Sequence, residues 1–122
     1  MVRVLVVDDD PDLLFAMSEL LREAGADVCV SAQSLAELQA QRARALECSL
    51  AVVDVNLGPR QPTGVDVYRW LRAEGFPGRI VFLTGHAQSN ELVQAACRTP
   101  DTSVLSKPID ADVLLRLAGV PA

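Results

Sequence analysis

The sequence predicts an α/β fold in which a five-stranded parallel sheet is covered by five helices, on three grounds. The chain has 122 residues, which is enough for one hydrophobic core and one domain. Short apolar runs rich in β-branched residues are typical of strands buried on both faces of a sheet. Each run is followed by a segment with helical spacing of its apolar residues, and strands that alternate with helices form parallel sheets.

The first strand is predicted at residues 4–7, and it ends at Asp8, Asp9 and Asp10. The helix after it has an apolar stripe formed by Leu13, Leu14, Met17, Leu20, Leu21 and Ala24. Gly25 is expected to end this helix at the position after its cap. We interpret Asp10 and Asp12 as acids that cap this helix, since the helix dipole favours negative charge at its start.

The middle of the chain continues the same alternation. A short strand is expected at residues 27–30, and the capping-box pattern of Ser34 and Glu37 then opens a helix that continues through residues 42–46. A buried strand follows at residues 50–55, and Asp54 interrupts it near its end. Residues 56–63 contain Gly58, Pro59 and Pro62, so this stretch is predicted to be a loop.

The last part of the chain completes five strand–helix pairs. A helix is predicted at residues 65–74 and a strand at residues 79–83. Ser89 is expected to cap a helix that runs to about residue 98. A short strand at residues 102–105, a loop at Lys107 and Pro108, and a helix at residues 110–118 complete the pattern.

Composition narrows the possible functions. The 11 basic and 16 acidic residues give a net charge of −5, which disfavours direct binding of nucleic acid, since that depends on clustered basic residues. No apolar run approaches the roughly 20 residues that span a bilayer, and the amino terminus does not resemble a secretory signal. Cys29, Cys48 and Cys97 lack metal-binding spacing and are expected to be free thiols. We therefore expect a cytoplasmic protein without a membrane partner.

Polar residues follow four of the predicted strands. These residues are Asp8 and Asp9, Asp54, Thr84 and Lys107. In open parallel sheets, ligands bind beyond the carboxyl ends of the strands, so we expect these side chains to converge there. Three carboxylates at close range repel one another unless a cation lies among them. Mg²⁺ is the natural choice, because it prefers oxygen ligands and completes its shell with water and phosphate.

Lys107 is the only lysine among 11 basic residues; the other ten are arginines. A compact ammonium acts as a point charge on an anionic oxygen, whereas arginine offers a planar fork. The choice of lysine at this one position therefore indicates a specific role beside the acids.

Four motifs at the predicted strand ends resemble those of the receiver domains of response regulators in bacterial two-component signalling. They are Val-Val-Asp-Asp at residues 6–9, Val-Asp-Val-Asn at 53–56, Leu-Thr-Gly at 83–85 and Ser-Lys-Pro at 106–108. The resemblance covers essentially the whole chain, in order and with the family's spacing. It implies a flavodoxin-like, doubly wound fold and one receiver domain over residues 1–122, without an output domain in this chain.

The resemblance also implies a role for each site residue. Asp54 corresponds to the phosphoacceptor, which takes a phosphoryl group from a phosphohistidine of a sensor histidine kinase or histidine phosphotransfer protein. Mg²⁺ would be held by Asp9, Asp54 and the backbone carbonyl of Asn56, and by Asp8 chiefly through water. Thr84 and Lys107 would contact phosphoryl oxygens. The peptide bond before Pro108 is expected to be cis.

Two features depart from the family pattern. Receiver domains usually carry an aromatic residue three positions before the lysine, where this chain has Val104. A valine has no ring to turn inward, so a weaker switch at the last strand is predicted. The loop after Asp54 is also longer than usual, which is expected to alter partner recognition beside the site.

The interpretation favoured here is a non-enzymatic signalling module that catalyses its own phosphorylation and dephosphorylation and acts through a downstream protein. One alternative is a Mg²⁺-dependent phosphatase of the haloacid dehalogenase type, which also forms an aspartyl phosphate. Such enzymes carry a second acid two residues after the nucleophile, and that position is Asn56 here. The other alternative is a pseudo-receiver scaffold, which Val104 favours and the complete set of acids disfavours.

Overall fold

A computed structural model describes residues 3–85, 91–107, 112, 113 and 116. Its centre is a sheet of five parallel strands in the order β2-β1-β3-β4-β5. The strands are β1 (Arg3–Val7), β2 (Asp27–Ala32), β3 (Leu50–Asp54), β4 (Arg79–Thr84) and β5 (Thr102–Ser106). The predicted fold class is therefore confirmed, and the order reverses next to β1, which creates the expected crevice between β1 and β3.

Five helices are bounded within the described residues. They are α1 (Pro11–Glu23), α2 (Leu35–Gln39), α3 (Arg42–Ala45), α4 (Gly64–Ala73) and α5 (Glu91–Cys97). Asp112, Val113 and Arg116 are also helical, within the range of the last predicted helix. The remaining residues of that helix, and the predictions for Ser89 and Pro108, lie outside the described residues.

The prediction of a single helix between residues 35 and 46 is wrong. Two short helices occupy this range, because Gln41 has φ −114° and ψ 29°, away from helical values. The predicted capping box of the first one is present, since Ser34 accepts a hydrogen bond from the backbone N–H of Glu37 at 3.2 Å. The capping box therefore determines the start of α2, and the non-helical backbone at Gln41 separates α2 from α3.

Other differences concern the ends of elements. β2 continues to Ala32, because its register with β1 extends to the pair Val7 and Ala32. β3 ends at Asp54, and β4 and β5 both continue to the pair Thr84 and Ser106. Sheet pairing with a neighbouring strand, which the sequence pattern does not reveal, decides these ends.

Two helices begin after the loops that follow strand ends at the same edge of the sheet. Asp10 caps α1, as expected, by accepting from the N–H groups of Asp12 and Leu13. α4 starts with a capping box formed by Thr63 and Asp66, which the sequence analysis missed. Both caps hold the loops that begin at the carboxyl ends of β1 and β3.

The core lies on both faces of the sheet. The cluster beneath α1 includes Val4, Val6, Val52, Val81 and Leu83. The cluster on the other face includes Leu5, Val53, Val67, Leu71 and Phe82. Neighbouring residues of β1, β3 and β4 thus point to opposite faces, and all of them except Arg3 and Arg79 are buried. This burial on both faces fixes the position of each strand end.

One expectation about the cysteines is wrong. Cys97 is free and exposed, but Cys48 is disulfide-bonded, and the side chain with which it pairs is outside the described part. An odd number of cysteines does not prevent one pair from forming. In the part of the chain that the structure describes, no helix has the length and apolar character needed to cross a bilayer.

Candidate functional site

The polar residues that follow four strands lie together at the carboxyl edge of the sheet. Asp8 follows β1, Asp54 ends β3, Thr84 ends β4 and Lys107 follows β5. Asp8, Asp54 and Thr84 are at most 5% exposed. The parallel registers of β1 with β3 and of β3 with β4 bring these strand ends to the same level. The structure therefore places the expected residues side by side.

Lys107 joins two carboxylates. Its Nζ lies 3.0 Å from Asp8 Oδ2 and donates a hydrogen bond to Asp54 Oδ2, also at 3.0 Å. Its backbone N–H donates to the carbonyl oxygen of Thr84 at 2.7 Å, which ties the end of β5 to the end of β4. Lys107 is thus held by both its main chain and its ammonium group. The sequence predicts Lys107 near the acids, and the folded chain brings its ammonium into contact with both Asp8 and Asp54.

The second oxygen of each buried carboxylate bonds to the backbone two residues further on. Asp8 Oδ1 accepts from the N–H of Asp10 at 2.9 Å. Asp54 Oδ1 accepts from the N–H of Asn56 at 3.2 Å. These hydrogen bonds fix the orientation of both carboxylates, so each keeps its Oδ2 beside Lys107.

The electrostatics of the site follow from burial and from these contacts. Burial raises the pKa of Asp54 from 3.8 to about 6; the hydrogen bond from Lys107 opposes this rise and the charge of Asp8 adds to it. Burial alone would lower the pKa of Lys107, but its contacts with Asp54 and Asp8 raise it above 10.5. The ammonium therefore stays charged at neutral pH, and it does not fully offset the cost of ionising Asp54.

Asp9 completes a cluster of three acids. Carboxylate oxygens of Asp8, Asp9 and Asp54 all lie within 4.8 Å of one another. Asp9 is exposed, whereas the other two acids are buried. An all-oxygen donor set with excess negative charge suits a hard divalent cation such as Mg²⁺, and an exposed ligand leaves room for water in the shell. The residues present fit the expected ion.

An open cavity of about 340 Å³ lies over Asp54. Its lining includes Asp9, Asn56, Gly58, Pro59 and Lys107. Asn56 Oδ1 accepts from the N–H of Gly58 at 3.0 Å, which folds the loop after β3 towards the acids. The phosphoacceptor candidate is therefore buried on the protein side and open towards solvent on the loop side.

Gly64 is a site residue that the sequence analysis missed. A Cβ at this position would lie 2.4 Å from the carbonyl oxygen of Asp54 and 2.9 Å from the Cα of Val55. The N–H of Gly64 donates to the carbonyl of Val55 at 2.8 Å. Only glycine lets the start of α4 approach the strand that carries Asp54 so closely. A glycine ending the loop after an acid-bearing strand was the available signal.

Val104 occupies the place where the family pattern has an aromatic residue. It pairs with Phe82 across β4 and β5 and packs at the edge of the core. The ring of Tyr68, on α4, lies 6.3 Å from that of Phe82. Val104 is thus a partly buried core residue. It lies next to Phe82, which forms an aromatic pair with Tyr68.

Comparison with known proteins agrees with this geometry. The family model described as the response regulator receiver domain matches residues 4–118. The chain is 33% identical over 126 aligned positions to the sensor histidine kinase GacS of Pseudomonas protegens, covering 97% of this chain and 13% of that protein. It is 29% identical to the response regulator protein TodT of Pseudomonas putida, covering 92% of this chain and 47% of that protein. The chain thus spans less than half the length of these curated relatives.

Solved structures give the same result for the fold. The chemotaxis protein CheY4 of Vibrio cholerae aligns with a TM-score of 0.77 and 28% identity, covering 99% of both chains. A response regulator receiver domain protein of Clostridium thermocellum aligns with a TM-score of 0.79 and 23% identity, covering 98% of this chain and 92% of the other.

Proposed function

The chain belongs to the response regulator receiver domain family and is a signal-transduction receiver, and we propose that it accepts a phosphoryl group on Asp54. The observation that carries this proposal is the contact of one ammonium group with two buried carboxylates. Lys107 lies 3.0 Å from an oxygen of Asp8 and from an oxygen of Asp54. Asp54 is the member of this trio that ends a strand beneath the open cavity.

In the proposed reaction, an oxygen of Asp54 attacks the phosphorus of a phosphohistidine. The new O–P bond forms as the P–N bond breaks, and the departing imidazole nitrogen takes a proton from water. Phosphoryl transfer depends mainly on positioning and on neutralising the charge of the phosphoryl oxygens. Lys107 provides a fixed positive charge for one oxygen, and the hydroxyl of Thr84 donates a hydrogen bond to another.

The acids have a second task, which is to hold Mg²⁺. Asp9 and Asp54 are proposed as direct ligands together with the backbone carbonyl of Asn56, while Asp8 acts through water. When bound, the ion supplies positive charge to the phosphoryl oxygens. Asp8 also keeps Lys107 in place, since its Oδ2 lies 3.0 Å from the ammonium. Water then hydrolyses the aspartyl phosphate at this same site, which makes dephosphorylation a property of the module.

The partners and the cellular location that we propose are those typical of the family. A sensor histidine kinase or a histidine phosphotransfer protein is the proposed donor, and a downstream protein reads the phosphorylated state. We propose that residues 1–122 form one receiver domain that works in the cytoplasm. The family membership does not favour the phosphatase or the scaffold alternative, and Asn56 lacks the acid that a phosphatase of this kind uses.

Intact mass measurement after incubation with acetyl phosphate and Mg²⁺ tests the proposal. The wild-type protein should gain one phosphoryl group, and Asp54→Asn should gain none. Asp27→Asn is a matched control, because Asp27 begins β2 at the opposite edge of the sheet. It should be phosphorylated like the wild type. Phosphorylation of the Asp54→Asn variant would overturn the assignment of Asp54.

A further inference from the structure

The loop after β3 carries an arginine next to a residue that lines the cavity over Asp54. The backbone N–H of Gln61 donates to the carbonyl of Gly58 at 3.4 Å, which closes a four-residue turn. Pro59 is the second residue of this turn and lines the cavity. Arg60 is the third, and it is exposed. The guanidinium-bearing residue Arg60 therefore directly follows a residue that lines the cavity.

The turn begins beside Asp9, the exposed acid of the cluster. A point at the Cβ position of Gly58 lies 3.7 Å from Asp9 Oδ2 and 3.8 Å from the Cγ of Gln61. The first residue of the turn thus lies beside the exposed acid of the cluster, and the last residue lies beside the first. Arg60 directly follows Pro59, which lines the cavity through which a phosphodonor must pass to reach Asp54.

Arg60 has an unfavourable backbone conformation. Its φ is 64°, in the left-handed region. Proline in second position and a positive φ in third position are typical of a type II turn, where the third residue is normally glycine or asparagine. Residues in such conformations persist when the surroundings enforce them, and they cluster at functional sites. Arginine has no conformational advantage here, so its side chain is the feature to explain.

The guanidinium of Arg60 is available. No described residue forms a hydrogen bond or an ion pair with this side chain. The neighbouring site carries three carboxylates and one ammonium, a net charge of −2 when all are ionised. A bound Mg²⁺ would bring this charge to zero and leave no excess positive charge to attract an anion. A phosphodonor is an anion, and arginine binds phosphoryl oxygens through two parallel N–H groups.

We propose that Arg60 binds the phosphoryl group of the incoming donor and draws it to Asp54. This inference rests on the proposed phosphoacceptor function and adds a donor-binding residue from the lengthened loop. The shared ligand is the phosphoryl dianion, whether it is carried by an acyl group or by an imidazole ring.

The test compares the rate constants of phosphorylation of Asp54 in four variants, with acetyl phosphate and with phosphoimidazole as donors. Arg60→Gln should lower the rate constant about three- to tenfold with both donors, because one exposed charge contact is lost. Arg60→Lys should keep part of the rate. Arg3→Gln makes the same charge change at the start of β1, a strand's length from the site and beyond the roughly 8 Å screening length. It should react like the wild type.

The variant Arg60→Gly distinguishes the effect of the lost charge from an effect on the stability of the loop. Glycine suits the positive φ, so this variant should unfold at a temperature no lower than the wild type, yet it should be phosphorylated as slowly as Arg60→Gln. Added salt should reduce the difference between wild type and Arg60→Gln. Equal rates for Arg60→Gln and Arg3→Gln, or a loss with only one donor, would overturn the role of Arg60. A wild-type protein that accepts no phosphoryl group on Asp54 would instead overturn the proposed function.

Discussion

Replacing Asp54 by asparagine should make the protein more stable at neutral pH in the absence of divalent cations. Asparagine has the same shape as aspartate, carries no charge, and still offers an oxygen to Lys107. Asp54 is 5% exposed, and its ionised form lies beside Asp8. The variant removes the cost of keeping this charge buried.

The pKa of Asp54 gives the magnitude. The pKa is raised to about 6 in the folded protein, from 3.8 for an unperturbed aspartate. Because the folded value is the higher one, the protonated carboxyl favours folding below pH 3.8, and this contribution is lost as the pH rises through about 6. At about 1.4 kcal/mol per pKa unit, the full loss is about 3 kcal/mol, and about 2 kcal/mol of it falls between roughly pH 4.5 and 7.5.

Urea unfolding of both proteins across this pH range, with a chelator present, measures the effect. The free energy of unfolding of the wild type should fall relative to that of Asp54→Asn as the pH rises, whereas Asp27→Asn should follow the wild type. Excess Mg²⁺ at pH 7.5 should stabilise the wild type more than Asp54→Asn, since it binds the ionised acids. Parallel pH curves for the wild type and Asp54→Asn would refute the assignment of a buried, destabilising charge to Asp54.

Three further predictions address the neighbourhood of Asp54. Gly64→Ala should destabilise the protein by about 1–3 kcal/mol in urea unfolding, because its Cβ would meet the backbone of β3. In Gly85→Ala the nearest atom would be 3.9 Å away, so a similar loss there would contradict this steric explanation. Mg²⁺ binding, followed by chemical-shift titration, should weaken more in Asp9→Ala than in Asp8→Ala, and equal losses would disprove the direct role of Asp9. Val104→Tyr should enlarge the backbone shift changes that a beryllofluoride phosphoryl mimic causes in β5; unchanged shifts would show that the missing ring does not limit the switch.

The fold class, and the polar residues that meet at the carboxyl edge of the sheet, could be predicted from the sequence. Apolar runs rich in β-branched residues gave the strands, and the rule that parallel strands end at one edge then brought Asp8, Asp54, Thr84 and Lys107 together. This worked because periodicity and strand direction are local properties of the chain. The capping role of Asp10 was likewise readable, since a helix cap depends on residues only two or three positions apart.

Which atoms meet at the site depends on the packing of the whole chain. Lys107 is 53 positions from Asp54, and its contact with both Asp8 and Asp54 depends on the registers of four strands. The raised pKa of Asp54 arises from burial, which only the packed helices and loops produce. The close approach of Gly64 to the backbone of Asp54 and the positive φ of Arg60 are backbone features of the loop that joins β3 to α4. Distances between residues far apart in the chain, and the dihedral angles that packing imposes, are properties of the assembled fold, so no local pattern of residues could reveal them.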